Sequence, residues 1–114
     1  MKKHLLFVCT SAMDRSPAAA SLFDKSKDYE AKFAGTSIGA EVALTKEAIV
    51  WADTIFTMEP EHQRYVLENF GKEIKASQSK KDVVLLEISN DFKRHEEELE
   101  KLLKFKLEAV GVKI

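Results

Sequence analysis

Five consecutive apolar residues, Leu5 to Cys9, make the first patterned segment of the chain. A run that is apolar at every position predicts a strand covered on both faces of a sheet. Ser16-Pro17 then opens a helix, because serine suits a helix cap and proline the first helical position. Ala18, Ala19, Ala20, Leu22 and Phe23 carry that helix toward Lys25. From Tyr29 to Gly35 the pattern alternates, with Tyr29, Ala31 and Phe33 set against Glu30 and Lys32, which predicts a strand with one face partly exposed. Gly35 and Gly39 bracket a loop. Thr45, followed by Glu47 and Ala48, starts a short helix through Trp51. Thr54 to Met58 is a third strand. Pro60 opens a further helix with Tyr65, Val66 and Phe70 on one side and Gly71 as its stop. Residues Lys72 to Lys81 hold four lysines and no strong pattern and read as a solvated loop. Val83 to Leu86 is a fourth buried strand, and Ile88 to Arg94 a loop. From Glu96 onward Leu99, Leu102, Leu103, Leu107 and Val110 recur at helical spacing, and Gly111 ends the helix.

Strands that alternate with helices predict an α/β fold: a three-layer sandwich with a four-stranded parallel sheet, order 2-1-3-4, and helices on both faces. In such sheets ligands bind at the carboxyl ends of the strands, near the point where the strand order reverses. The segment after Cys9 belongs at that point.

The chain has 114 residues, which is enough for one small domain, 1–114, and too short for two. Internal repeats and linkers are absent from the sequence. With 45% hydrophobic and 32% charged residues, disordered and fibrous classes are excluded. No apolar run approaches the roughly 18 residues of a membrane span. The apolar stretch behind Met1-Lys2-Lys3-His4 is too short for a signal peptide. A lone cysteine makes no internal disulfide, so the expected location is cytoplasmic. A net charge of -1 argues against nucleic acid or a membrane surface as partner.

The chemistry lies in Cys9-Thr10-Ser11-Ala12-Met13-Asp14-Arg15-Ser16-Pro17, placed between a buried strand and a helix. Five residues between Cys9 and Arg15 let the chain curl so that its backbone N–H groups converge, with the helix dipole behind them. Thr10, Ser11, Ala12, Met13, Asp14, Arg15 and Ser16 would then line a nest for an anion. Arg15 is suited to grip two phosphate oxygens at once. The field of such a site favours a thiolate at Cys9, to which Ser16 can donate its hydroxyl. A thiolate beneath a bound phosphoester is an in-line nucleophile. The bland alternative is that Cys9 is a small buried hydrophobe at a strand end.

This segment resembles the Cys-x5-Arg-Ser-Pro signature of the low molecular weight protein tyrosine phosphatases. Phe33-Ala34-Gly35-Thr36 resembles that family's Ser-Ala-Gly-Thr. Trp51-Ala52-Asp53-Thr54-Ile55-Phe56-Thr57-Met58-Glu59, followed by His62, resembles its helix-to-strand segment. Leu86-Glu87-Ile88-Ser89-Asn90-Asp91-Phe92 stands in the place of its acid loop. The likeness covers nearly the whole chain and is similar to a short prokaryotic branch with a divergent phosphate loop. It implies the phosphotyrosine phosphatase I-like fold and a cysteine-dependent phosphatase, a hydrolase needing no metal and no cofactor. Cys9 would be the nucleophile, Arg15 the phosphate clamp and Asp91 the general acid. Expected partners are a phosphorylated small molecule or a phosphotyrosine protein, with the chain a monomer or weak homo-oligomer.

Several positions depart from the family pattern. Ala12 stands where the family commonly has a left-handed asparagine, at a cost of about 1–2 kcal/mol for an alanine. Phe33 replaces the serine that braces that asparagine. Ser11 stands where many members have glycine, and Asp14 where many have a second cysteine. A carboxylate pointing at a phosphate dianion would weaken its binding, so Asp14 is expected to point outward and cap the helix or meet a lysine. A gap-free match puts Asn90 at the acid position and Asp91 one residue later, and Asp91 reads equally well as a solvated loop carboxylate. Asn90 and Phe92 are candidates for the pocket wall, Phe92 also for the core. His62 reads as a surface residue, and His4 and His95 lack matching partners. Met58 and Trp51 read as packing residues. If Ala12, Phe33 and Asn90 have dismantled catalysis, the alternative is a degenerate phosphate-binding or interaction module. A sugar-phosphotransferase-like phosphocarrier would not need Arg15-Ser16-Pro17, and an arsenate reductase would need further cysteines.

Overall fold

A computed structural model describes residues 2–76, 82–89 and 96–113. Four strands, β1 (Lys3–Cys9), β2 (Tyr29–Gly35), β3 (Thr54–Thr57) and β4 (Asp82–Leu85), pair in parallel in the order β2-β1-β3-β4. The helices are α1 (Arg15–Ser21), α2 (Lys46–Trp51), α3 (Pro60–Ala76) and α4 (Glu97–Ala109). The expected α/β architecture is therefore present.

Successive side chains of a strand point to opposite faces, and β1 divides the core accordingly. Leu5, Phe7 and Cys9 pack with Ala19 of α1, with Phe23 in the turn after it, and with Leu99, Leu103 and Leu107 of α4. Leu6 and Val8 pack with Ile49 of α2 and Val66 of α3. Helices thus cover both faces of the central strand. Phe7 stacks on Phe23 and Phe56, with ring centroids 5.9 and 5.1 Å apart. At the amino end of β1, His4 stacks on Trp51 at 4.3 Å and donates from Nδ1 to the Trp51 carbonyl at 3.0 Å, so His4 is a packing residue. Among the described residues no helix is long and apolar enough to cross a membrane.

Three helix boundaries differ from the sequence pattern, the first being that α1 ends at Ser21 and leaves Leu22 and Phe23 in the turn that follows. α1 begins at Arg15, ahead of Ser16-Pro17, because the Asp14 carbonyl already accepts from Ala18 N–H at 3.0 Å. Pro17 fits at the third helical position because N–H groups in a first turn have no intrahelical acceptor. α3 does not stop at Gly71. It bends at Phe70 (φ -128°) and continues to Ala76, so Lys72 to Ala76 is helix, not loop. Ile74 and Phe70 pack against the Val66 side of the core, and that burial outweighs the roughly 1 kcal/mol helix penalty of a glycine. The rest of the expected loop, 77–81, lies outside the described residues, as do Asn90, Asp91, Phe92 and His95.

Candidate active site

β1 ends at Cys9 at the carboxyl edge of the sheet, beside β2 and β3, and the chain turns into α1 through Thr10 to Asp14. Three successive carbonyls of this turn are held by the segment after β2. Cys9 O accepts from Thr36 N–H at 3.0 Å, Thr10 O from Ser37 N–H at 2.9 Å, and Ser11 O from Glu41 N–H at 3.0 Å. In a trans peptide the N–H points opposite to the carbonyl. The amides of Thr10, Ser11 and Ala12 therefore point away from that segment, as a nest of donors requires. Ala12 is fully buried with φ 60°, in the left-handed region, as expected for this position. The backbone thus adopts the curl with an alanine, and the three carbonyl bonds offset its cost.

Gly35 makes this contact possible. A Cβ there would lie 2.6 Å from the Thr10 carbonyl oxygen, 2.7 Å from the Ala40 Cβ and 2.9 Å from the Ala12 nitrogen. Phe33, two residues earlier, is half-buried and packs against the Phe7 side of the core, in place of any hydrogen-bonding role.

The functional side chains converge from four elements. Cys9 Sγ lies 3.0 Å from Ser16 Oγ, and both residues are buried. The Arg15 side chain is 3% exposed. Its Nη1 donates to the Glu59 carboxylate just after β3 and to the Ile88 carbonyl, at 2.7 Å, just after β4. Thr10 is exposed, Ser11 and Asp14 are half-buried, and Met13 is exposed. Asp14 occupies the cap position of α1, but its carboxylate makes no cap hydrogen bond; its backbone carbonyl starts the helix. Ile88 is fixed by its own N–H, which donates to Met58 O at 2.7 Å. The chain that leads to Asn90 and Asp91 therefore passes Arg15, although those two residues themselves lie outside the described ones.

His62 is not a surface residue. It is 1% exposed in the first turn of α3. Its Nδ1 accepts from the Glu59 N–H at 3.0 Å, and its Nε2 lies 2.8 Å from Thr10 Oγ1. Because Nδ1 is an acceptor, the ring proton is on Nε2 and is donated to Thr10. Burial above all, and then the Arg15 charge, lower the His62 pKa from 6.5 to about 4 against the opposing effect of Glu59. The missed signal was position: His62 precedes Val66 by four residues, which puts both on the inward face of α3. Glu59, which begins the turn, was also missed as a partner of Arg15. Glu59, Glu61 and His62 bring possible ligand atoms within 4.8 Å of one another. Both His62 nitrogens and the Glu59 carboxylate are already engaged, so this is a hydrogen-bonded turn against the loop.

The depressed His62 pKa has a definite sign for stability. In the unfolded chain His62 takes its proton near pH 6.5, in the folded chain only near pH 4. Between these values the unfolded state binds more protons, so stability is full above 6.5 and falls as pH drops toward 4. The loss by pH 4 is about 3 kcal/mol. Urea unfolding of the wild type and of His62→Gln at steps across that window tests this. The stability difference between them should shrink as pH falls, and a difference that stays flat would contradict the buried neutral imidazole.

No protein-family model matches the sequence, and no curated protein matches it. Solved structures match it along nearly its whole length. YwlE arginine phosphatase from Geobacillus stearothermophilus is 22% identical, with 95% of this chain and 92% of that chain aligned at a TM-score of 0.65. A low molecular weight protein tyrosine phosphatase from T. tengcongensis is 22% identical over 96% of this chain and 99% of its own, at 0.64. Wzb of Vibrio vulnificus, solved in complex with benzylphosphonate, is 15% identical over 96% and 97%, at 0.72. The fold of this chain is that of the low molecular weight protein tyrosine phosphatases.

Proposed function

We propose that this chain is a cysteine-dependent phosphatase that hydrolyses aryl phosphate monoesters, phosphotyrosine in a protein among them, through a cysteinyl-phosphate. One observation supports the assignment: Cys9 Sγ lies 3.0 Å from the Ser16 hydroxyl, and the chain between Cys9 and Arg15 forms a loop whose successive amides face away from the segment holding their carbonyls. The shared fold with phosphatases supports it.

In the first step the Cys9 thiolate, stabilised by the Ser16 hydroxyl, attacks phosphorus. The phosphorus–oxygen bond to the aryl group breaks as the phosphorus–sulfur bond forms. Arg15 and the loop amides bind the equatorial oxygens, whose charge is spread in the transition state. The leaving phenolate takes a proton from a carboxylic acid, and Asp91 is the candidate. In the second step water attacks phosphorus, gives its proton to the same carboxylate, and displaces the thiolate, releasing inorganic phosphate. All of these steps belong to one domain, 1–114, acting in the cytoplasm.

Purified protein should hydrolyse para-nitrophenyl phosphate at mildly acidic to neutral pH with EDTA present. Mass spectrometry of rapidly quenched protein should find one phosphoryl group on Cys9. Phosphate binding without turnover or phosphorylation would overturn the proposal in favour of a binding module on the same fold.

A further inference from the structure

A guanidinium carries five N–H protons in a planar fork, two of them on Nη1. In Arg15 both Nη1 protons have acceptors, the Glu59 carboxylate and the Ile88 carbonyl. These acceptors follow β3 and β4, so the guanidinium plane is held by two separate segments. The remaining edge, formed by Nε–H and Nη2–H, matches two oxygens of a phosphate side by side. Glu59 is itself held in place. Its N–H donates to His62 Nδ1 at 3.0 Å, and Pro60 after it restricts its backbone.

We infer that Glu59 is a positioning residue for anion binding: by engaging Nη1 it turns the Nε–Nη2 edge of Arg15 toward the loop. This rests on the phosphate-site reading above. Two effects of the Glu59 carboxylate oppose each other. As a negative charge it repels a phosphate and partly cancels the charge of Arg15. As an acceptor it fixes a guanidinium that is 3% exposed and cannot satisfy its protons with water. Orientation outweighs repulsion for a geometric reason. The Arg15 guanidinium separates Glu59 from the bound anion, and the Glu59 side chain is 30% exposed, so solvent screens it. Without Glu59, Arg15 would rotate its protons toward other acceptors and lose the paired edge.

The two effects predict opposite signs, which makes the inference testable with inorganic phosphate alone. Its dissociation constant is measured by titration calorimetry for the wild type, Glu59→Gln and Glu59→Ala, with melting curves to check folding. Glu59→Ala should weaken phosphate binding by about tenfold or more, although it removes a negative charge. Glu59→Gln keeps an acceptor oxygen and should rescue most of that loss. Phosphate bound by folded Glu59→Ala as tightly as by the wild type, or more tightly, overturns the inference, because Glu59 would then be only a repelling charge. Should Glu59→Ala not fold, Glu59→Asp decides. It keeps the charge but withdraws it by one methylene, and it should weaken phosphate binding several-fold; unchanged affinity overturns the inference. A wild type that binds no phosphate would overturn the phosphate-site reading itself, a different result from equal binding by wild type and variant.

Discussion

Replacing Cys9 by serine is expected to lower kcat for para-nitrophenyl phosphate by a factor on the order of 10^4–10^6, the scale on which loss of a catalytic nucleophile is measured. A hydroxyl in place of the thiol keeps a hydrogen-bonding partner for Ser16 Oγ, 3.0 Å away, and nearly the same volume at a buried position. What changes is the nucleophile, because a serine hydroxyl gives almost no alkoxide without a base. Arg15, the loop amides and the carbonyl bonds from Thr36, Ser37 and Glu41 all remain. The Cys9→Ser chain should therefore still bind inorganic phosphate with an affinity near that of the wild type. Steady-state kinetics and a phosphate titration on the same preparation separate the two effects. Turnover within tenfold of the wild type would remove Cys9 from the mechanism.

Gly35→Ala is expected to cost both activity and stability. The added Cβ would meet backbone at 2.6 Å (Thr10 O) and 2.9 Å (Ala12 N), and neither atom belongs to a side chain that can swing aside. Relief requires that the loop and β2 separate, which stretches the carbonyl bonds from the Thr36 to Glu41 segment. Overpacking of this kind costs typically 1–3 kcal/mol, and the backbone contact puts this case at roughly 3 kcal/mol. The same movement turns the amides of Thr10, Ser11 and Ala12 off their common direction. Phosphate affinity should fall together with the urea midpoint. A variant that melts and binds phosphate like the wild type would show that the loop does not depend on this contact.

The order and kind of the elements are written locally. The unbroken apolar run of β1, the alternation of β2 and the helical spacing of Leu99, Leu103 and Leu107 each follow from burial on a periodic backbone, and periodicity survives without knowledge of partners. The ends of α1 and α3 were less legible. A helix end depends on which groups satisfy its last donors and acceptors, and at Gly71 the packing of Ile74 overrode a local stop. Cys9, Arg15 and Ser16 were legible because all three lie on one continuous stretch, whose spacing is itself the geometry. Glu59 and His62 were not. They reach the loop from another element, 44 and 52 residues along the chain from their partners. A buried polar side chain looks in sequence like a surface one until its hydrogen-bond partner is known.

The sequence by itself therefore determined the α/β layering, the strand order, the position of the loop after Cys9 at the switch point and the residue within it that is proposed as nucleophile. These depend on short-range pattern and on spacing along one segment. Only the tertiary structure decided how the loop is held: by the Thr36 to Glu41 backbone across Gly35, by a neutral His62 at Thr10, and by Glu59 and Ile88 on one nitrogen of Arg15. Those contacts join residues far apart in the chain, and their strength comes from burial, which exists only once the layers have closed.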